Sequence, residues 1–307
     1  MSANDTTHSQ FDVSAPKYDA EFTDSAIGKM QRERVHFALQ ENNLVSGKSK
    51  VLEINCGTGA DAIWLAQKGN KVIASDASTK MIEQCRYKYK SSEQALELQF
   101  VKSSFSELRE TFPNQKFDLI FSNFGGLNCV DATEIKQLFS DFSQLLLPNG
   151  KMVLVVMGRK CLWERMYFLL KGNSKKAFRR NSKQAIAAHI GDDTYVSTYY
   201  YSPEELQQLA YENFNREALA PIGFFVPPSY LGIFFANKIA IRVNGGIIIT
   251  NHLAINQSTF ITIKAKPPMP TMDCLIISAI LTVKASEITL MSVAIRLLNS
   301  ADWFLLK

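Results

Sequence analysis

Along the first 160 residues, short apolar runs alternate with longer segments of helical periodicity. The runs fall at residues 51–54, 71–75, 98–101, 117–121 and 151–156, each short enough for a buried strand and bounded by polar or turn-forming residues. Between them, residues 59–69, 79–89 and 132–147 place apolar side chains at helical spacing, and Pro148-Asn149-Gly150 stops the last of these. A further helical pattern covers residues 18–40, with Phe22, Ile27, Met30, Val35, Phe37 and Leu39 as its apolar contacts. Strands alternating with helices predict an α/β fold: a Rossmann-like, doubly wound, mostly parallel sheet with helices on both faces. Ligands of such sheets bind at the carboxyl ends of the strands.

The rhythm changes after the fifth strand. Residues 159–188 read as largely helical and are rich in cations (Lys160, Arg165, Lys171, Lys175, Lys176, Arg179, Arg180, Lys183), with Glu164 as the opposing acid. Ser202, Pro203 and Glu205 form the start signal of another helix. Residues 218–226 read as a strand closed by Pro227-Pro228. From about residue 232 the texture is Ile-, Thr-, Ser- and Asn-rich and poor in charge. The expected division is 1–47 as an N-terminal helical cap with a loose polar start, 48–158 as the ligand-binding core, and 159–231 as a substrate lid returning to the sheet. Residues 232–307 form an atypical C-terminal segment, in which 301–306 is a candidate antiparallel final strand. About 70 residues would then separate that strand from the Pro-Pro segment, far more than the roughly 4–6 of an ordinary connection. Either an insertion between 242 and 300 or an altered C-terminus accounts for this.

Composition narrows the partners. The 307 residues carry a net charge of +5, which permits an acidic ligand without requiring one. The five cysteines are scattered, with no C-x-x-C pair, so neither a disulfide framework nor a metal site is expected; a reducing cytoplasm suits them. The N-terminus lacks an apolar signal core, and no run reaches the roughly 18 apolar residues of a membrane span.

The chemistry centres on the stretch after the first strand, Glu53-Ile-Asn-Cys-Gly-Thr-Gly59. Gly57 and Gly59 let backbone amides approach a ligand at the start of a helix. Asp76, at the end of the second strand, is placed to accept from ribose hydroxyls. Gly57-Thr-Gly59-Ala-Asp-Ala62 also satisfies a loose dinucleotide fingerprint. A pyrophosphate beside Glu53 would be repelled, whereas an amine and a sulfonium would be attracted. Charge therefore favours S-adenosylmethionine over a nicotinamide dinucleotide.

These residues resemble the E/D-x-G-x-G-x-G loop of class I S-adenosylmethionine-dependent methyltransferases, in the small-molecule, type-11-like branch. The resemblance covers about residues 15–232. It includes Tyr18-Asp-Ala-Glu-Phe22, Ser122-Asn-Phe-Gly-Gly-Leu-Asn128 and Gly223-Phe-Phe-Val-Pro-Pro-Ser-Tyr230, which are similar to an uncharacterised bacterial subgroup. It implies that Glu53 lies nearest the methionine amine, with Gly57 and Gly59 beneath the methionyl and ribose parts. Asp76 would hold the ribose, Ala77 and Met81 would border the adenine, and Ser104 and Phe105 would occupy the adenine-recognition position. Asn123 and Phe124 would floor the sulfonium site, and Tyr18 would close over the cofactor. The chain departs from the pattern at Asn55, in place of a glycine, and at Ser104, in place of an acid; Asn is among the residues that visit the left-handed region.

Methyl transfer mainly requires orientation, and a base only when the acceptor must lose a proton. His36, Tyr18, Tyr199, Tyr200 and Glu164 are candidates, and the sequence does not choose among them. Asn128, Trp163, Arg179, Arg180 and Tyr200 are candidate substrate contacts, the arginines for an anionic group. Asn123-Phe-Gly-Gly126 departs from the Asn/Asp-Pro-Pro-aromatic signature of amino-methylating enzymes, which disfavours nucleic acid as substrate. The reading is a cytoplasmic methyltransferase acting on a small, aromatic or lipid-like acceptor. A non-catalytic S-adenosylmethionine-binding protein and a nicotinamide-dependent oxidoreductase are the alternatives.

Overall fold

The computed structural model describes residues 3–45, 47–91, 95–191, 194–222, 242–243, 246–247 and 258–265. The apolar runs become β1 (Lys50–Ile54), β2 (Lys71–Asp76), β3 (Leu98–Lys102), β4 (Phe117–Ser122) and β5 (Leu146–Met157), paired in parallel. Helices α1 (Ala3–Tyr18) and α2 (Ala26–Glu41) precede the sheet. Helices α3 (Ala60–Gln67), α4 (Thr79–Ser91), α5 (Leu108–Thr111) and α6 (Ala132–Leu145) connect its strands. After β5 come α7 (Leu162–Leu170), α8 (Ser174–Ala177), the hairpin β6 (Ile186–Gly191) and β7 (Thr194–Thr198), then α9 (Pro203–Ala210) and β8 (Phe214–Pro221). Two-residue strands β9 (Arg242–Val243) and β10 (Gly246–Ile247) pair with each other, and β11 (Ser258–Ala265) joins the main sheet.

The seven strands run in the order β3-β2-β1-β4-β5-β11-β8, with β11 antiparallel to both neighbours. This is the doubly wound sheet expected from the sequence, with its order reversing between β1 and β4, where ligands of such sheets gather. Successive residues of each central strand enter opposite layers. Leu52, Ile54 and Ile120 pack on one face with Phe139 and Phe142 of α6. Val51, Val72 and Phe121 pack on the other with Leu65 of α3 and Leu39 of α2. Burial on both faces explains why these strands read as continuous apolar runs.

Four expectations shift. The antiparallel strand flanked by β5 and β8 is residues 258–265, while 301–306 and the 223–230 segment lie outside the described residues. The strand expected at 218–226 is Phe214–Pro221. The predicted helix over 159–188 breaks at Gly172, whose φ is +68°, and its end becomes the β6–β7 hairpin. The polar start of the chain, expected to be loose, is helical. Asp12 ties it to the core, accepting from Ser78 Oγ (2.5 Å) and from the Lys80 amide (3.0 Å). Those contacts lie more than 60 positions away in sequence, beyond the reach of local periodicity.

Candidate functional site

A recess opens at the carboxyl ends of β1, β2 and β4, with about 910 Å³ of space counted out to its mouth. That suits a nucleoside-sized ligand. Ten of the twelve residues singled out for cofactor contact line it: Tyr18, Asn55, Gly57, Asp76, Ala77, Met81, Ser104, Phe105, Asn123 and Phe124. Glu53 lines a smaller adjoining recess that shares Tyr18, Asn55, Gly57, Asn123 and Phe124 with the first. Gly59 lines neither recess and is the left-handed N-cap of α3 (φ +78°); a Cβ there would stand 2.9 Å from Cys85 Sγ.

Asn55, in place of the first loop glycine, adopts φ +49°. Its amide donates to the Asn123 carbonyl (2.8 Å) and accepts from Ser122 Oγ (2.6 Å), tying the loop after β1 to the loop after β4. The side chain occupies the space where a Cβ on residue 126 would stand, within 2.2 Å of Asn55 Cγ. The Asn at 55 and the glycine at 126 are therefore one arrangement. Beside them Phe124 sits at φ +49°, uncommon for a bulky residue. Its ring meets Phe22 edge-on at 5.0 Å, with the Arg32 guanidinium 5.0 Å from its centroid.

The charge around the loop is predominantly acidic. Glu53 is 1% exposed and its Oε2 has no hydrogen-bond partner; burial, reinforced by the nearby Asp61, raises its carboxyl well above the usual range. Asp76 accepts from the Gly57 amide and the Ser78 amide, both at 2.9 Å, and burial holds its carboxyl up at about 6. Asp61, in the first turn of α3, accepts from Arg32 Nε (3.0 Å) and Asn123 Nδ2 (2.9 Å), and His36 Nε2 lies 2.7 Å from it. Although burial opposes ionisation there, His36 and Arg32 pull its carboxyl below the ordinary value. Glu53 is thus the acid left with an unmet acceptor, and a cationic or N–H-bearing ligand group would meet that need.

The N-terminal helices close one side. Phe11 and Tyr18 line the larger recess, and Thr58 of the glycine loop donates to Asp19 (2.6 Å), which also pairs with Lys88 (2.8 Å). Phe11, Asp12, Asp19, Arg32 and Asp61 have no individual signature in the sequence. Asp19, within the 18–22 segment, Arg32, within the 18–40 helical pattern, and Asp61, within the loop string, lay in stretches already singled out.

The five candidate substrate contacts do not line either recess. Asn128 is fully buried. Its amide donates to the Met157 and Tyr199 carbonyls and accepts from the Met157 amide, so this expected contact is instead a brace between β5 and the segment before α9. Arg179 and Arg180 both donate to Glu164 at 2.8 Å, and Arg180 lies 4.7 Å from the Tyr200 ring centroid. Trp163 sits on α7. Of the candidate bases, His36 stacks on Trp64 at 3.7 Å and faces Asp61, while Glu164 is buried in its arginine pairs. Burial raises the Tyr18 and Tyr200 hydroxyls above their ordinary values. Ser104 Oγ donates to Glu107 (2.7 Å) in a capping box, so Ser104 caps the short turn that follows it.

Residues 51–150 match the family model described as a methyltransferase domain. An uncharacterised methyltransferase of Synechocystis sp. is 28% identical over 131 residues, 43% of this chain and 58% of that protein. A malonyl-[acyl-carrier protein] O-methyltransferase of Hamiltonella defensa is 34% identical over 105 residues, 34% of this chain and 36% of that one. The chain thus covers less than two thirds of the length of these relatives. Among solved structures, a DhpI–SAM–HEP complex aligns with a TM-score of 0.55 at 16% identity, covering 86% of this chain and 97% of that one. At that identity the likeness establishes a shared fold.

Proposed function

We propose that the chain is an S-adenosylmethionine-dependent methyltransferase acting on a small-molecule acceptor, a reading supported by the match of residues 51–150 to a methyltransferase-domain model. The observation that carries the reading is the buried, unpartnered Glu53 Oε2 beside the glycine loop, in a site that also holds Asp61 and Asp76. Such a site disfavours a pyrophosphate and favours a ligand carrying an amine and a sulfonium. When bound, S-adenosylmethionine supplies a methyl group already activated for displacement. Glu53 would receive its amine, Asp76 its ribose hydroxyls, and Ala77, Met81 and Phe105 would border its adenine. Phe124, fixed by Phe22 and Arg32, would shape the floor, while α1 and Tyr18 exclude water from above. The chain's contribution is orientation and exclusion of solvent, and no base is assigned. The apolar side chains of Phe11, Phe105, Phe124 and Val130 around the recess favour an aromatic or lipid-like acceptor. A cytoplasmic setting suits the cysteines.

Calorimetry with S-adenosylhomocysteine and with NAD(H) tests the cofactor; binding of NAD(H) alone would overturn the reading. Turnover of labelled methyl donor against a metabolite extract separates an enzyme from a protein that only binds the cofactor.

A further inference from the structure

Helix α7 is built the wrong way round for a helix on a protein surface. On a helical projection, Leu162, Met166, Leu169 and Leu170 share an arc of roughly 100°, with Glu164 on the opposite side. A surface helix normally buries such a stripe and exposes its charges. Here Glu164 is buried against Arg179 and Arg180, while Met166, Leu169 and Leu170 are 47%, 49% and 73% exposed. Phe178, just after α8, extends the exposed apolar surface.

Cations surround the stripe. Lys160, Lys171, Lys175 and Lys176 are exposed, and no acid other than the buried Glu164 occurs between residues 159 and 183. Two of the lysines lean along the hairpin's own aromatic rings: Lys171 Nζ lies 4.6 Å from the Tyr167 centroid, and Lys176 Nζ 5.9 Å from that of Phe168. This keeps their stems on apolar surface and their ammonium groups at its rim. An apolar stripe rimmed by lysines is the arrangement by which a helix lies in the interface of an anionic bilayer.

We propose that the α7–α8 hairpin docks this chain onto an anionic lipid surface. Charge complementarity decides among the occupants. A second copy would bring one lysine rim against another. The chain's own residues 268–300 offer two acids, Asp273 and Glu287, against Lys284 and Arg296, and cannot match the rim. Among the described residues no helix is long and apolar enough to cross a membrane. Helix α7 follows the carboxyl end of β5, the end of the sheet at which the recess opens.

The test is co-sedimentation of the full chain with vesicles of phosphatidylcholine alone and with phosphatidylglycerol added. Binding is expected only with the anionic lipid and is expected to weaken as salt rises. Met166→Glu with Leu170→Glu should reduce it at least tenfold. Lys175→Glu with Lys176→Glu should reduce it at least about 25-fold, from roughly fivefold per lysine charge removed. Leu170→Ser is a milder variant of the stripe. Retained S-adenosylhomocysteine binding, or an unchanged circular dichroism spectrum, confirms that each variant is folded. Equal sedimentation of wild type and folded variants would overturn the proposal. So would absence of binding to anionic vesicles, or a stripe variant that dissociates a dimer and leaves vesicle binding intact.

Discussion

The glycine-loop region and the segment after β5 use their charged side chains in opposite ways. Around the loop, Glu53 is buried with an unmet acceptor and Asp76 is held to a raised pKa. After β5, the charged side chains meet partners within the chain: buried Glu164 takes Arg179 and Arg180, and half-buried Arg159 pairs with Glu205. The first region carries an electrostatic cost that a ligand can relieve. The second has closed its polar accounts and leaves its apolar side chains outside. The same fold thus contains one surface shaped to receive a polar cofactor and one whose unmet need is for apolar cover.

The comparison can be broken most forcefully at Glu164. Glu164→Ala leaves Arg180 buried without its carboxylate, and the expected loss is about 3–5 kcal/mol of unfolding free energy in a urea titration. Cofactor affinity of the folded fraction should not change. Glu53→Gln should do the reverse. Cofactor affinity, read by calorimetry with S-adenosylhomocysteine, should fall about 10- to 100-fold, from the roughly 1.5–3 kcal/mol of a charge-assisted hydrogen bond. The uncomplexed protein should be no less stable, because an unpartnered buried acid has been replaced by a neutral amide. A Glu53→Gln protein that unfolds earlier and binds normally would reverse the roles assigned to the two regions.

A third measurement uses pH. Asp76 holds its proton up to about 6 in the folded protein, against 3.8 ordinarily. The uncomplexed folded state therefore binds more protons than the unfolded chain across that window, and this acid's contribution to stability is lost as pH rises through about 6. Ligand hydroxyls donate to the ionised form, so cofactor affinity should run the other way. It should rise by up to about tenfold per pH unit below the transition and then flatten. Calorimetry between pH 5 and pH 7.5 (roughly the range over which such an acid titrates) checks the sign. The smallest expected effect is at the contact between the glycine loop and Asp19. Thr58→Val removes the donor to Asp19 and should cost about 1 kcal/mol, seen as faster hydrogen exchange in α1 and a modest loss of cofactor affinity.

Much of the core was legible in the sequence, for a physical reason. Strands buried on both faces must be apolar throughout, and the helices between them must show a stripe, so residues 51–156 announce their elements locally. Glu53, Gly57, Gly59 and Asp76 were legible because a backbone approach and a charge at fixed strand ends have few chemical uses. The segment after β5 was less legible. Its arginines were read as a site for an anionic group, and the structure pairs them with Glu164, 15 and 16 positions away.

By itself, then, the sequence determined the succession of strands and helices in the core, the glycine turn at the end of β1 and the sign of the charge beside it. Each depends on neighbours within a few residues or on the regular spacing of strands. Tertiary structure decided that residues 258–265 supply the antiparallel strand and that α1 closes the recess through Asp12 and Phe11. It also decided that Asn55 and Gly126 share one space, and that α7 turns its acid inward and its leucines out. These follow from contacts between distant segments, where the partner of each side chain is set by the packing of the whole sheet.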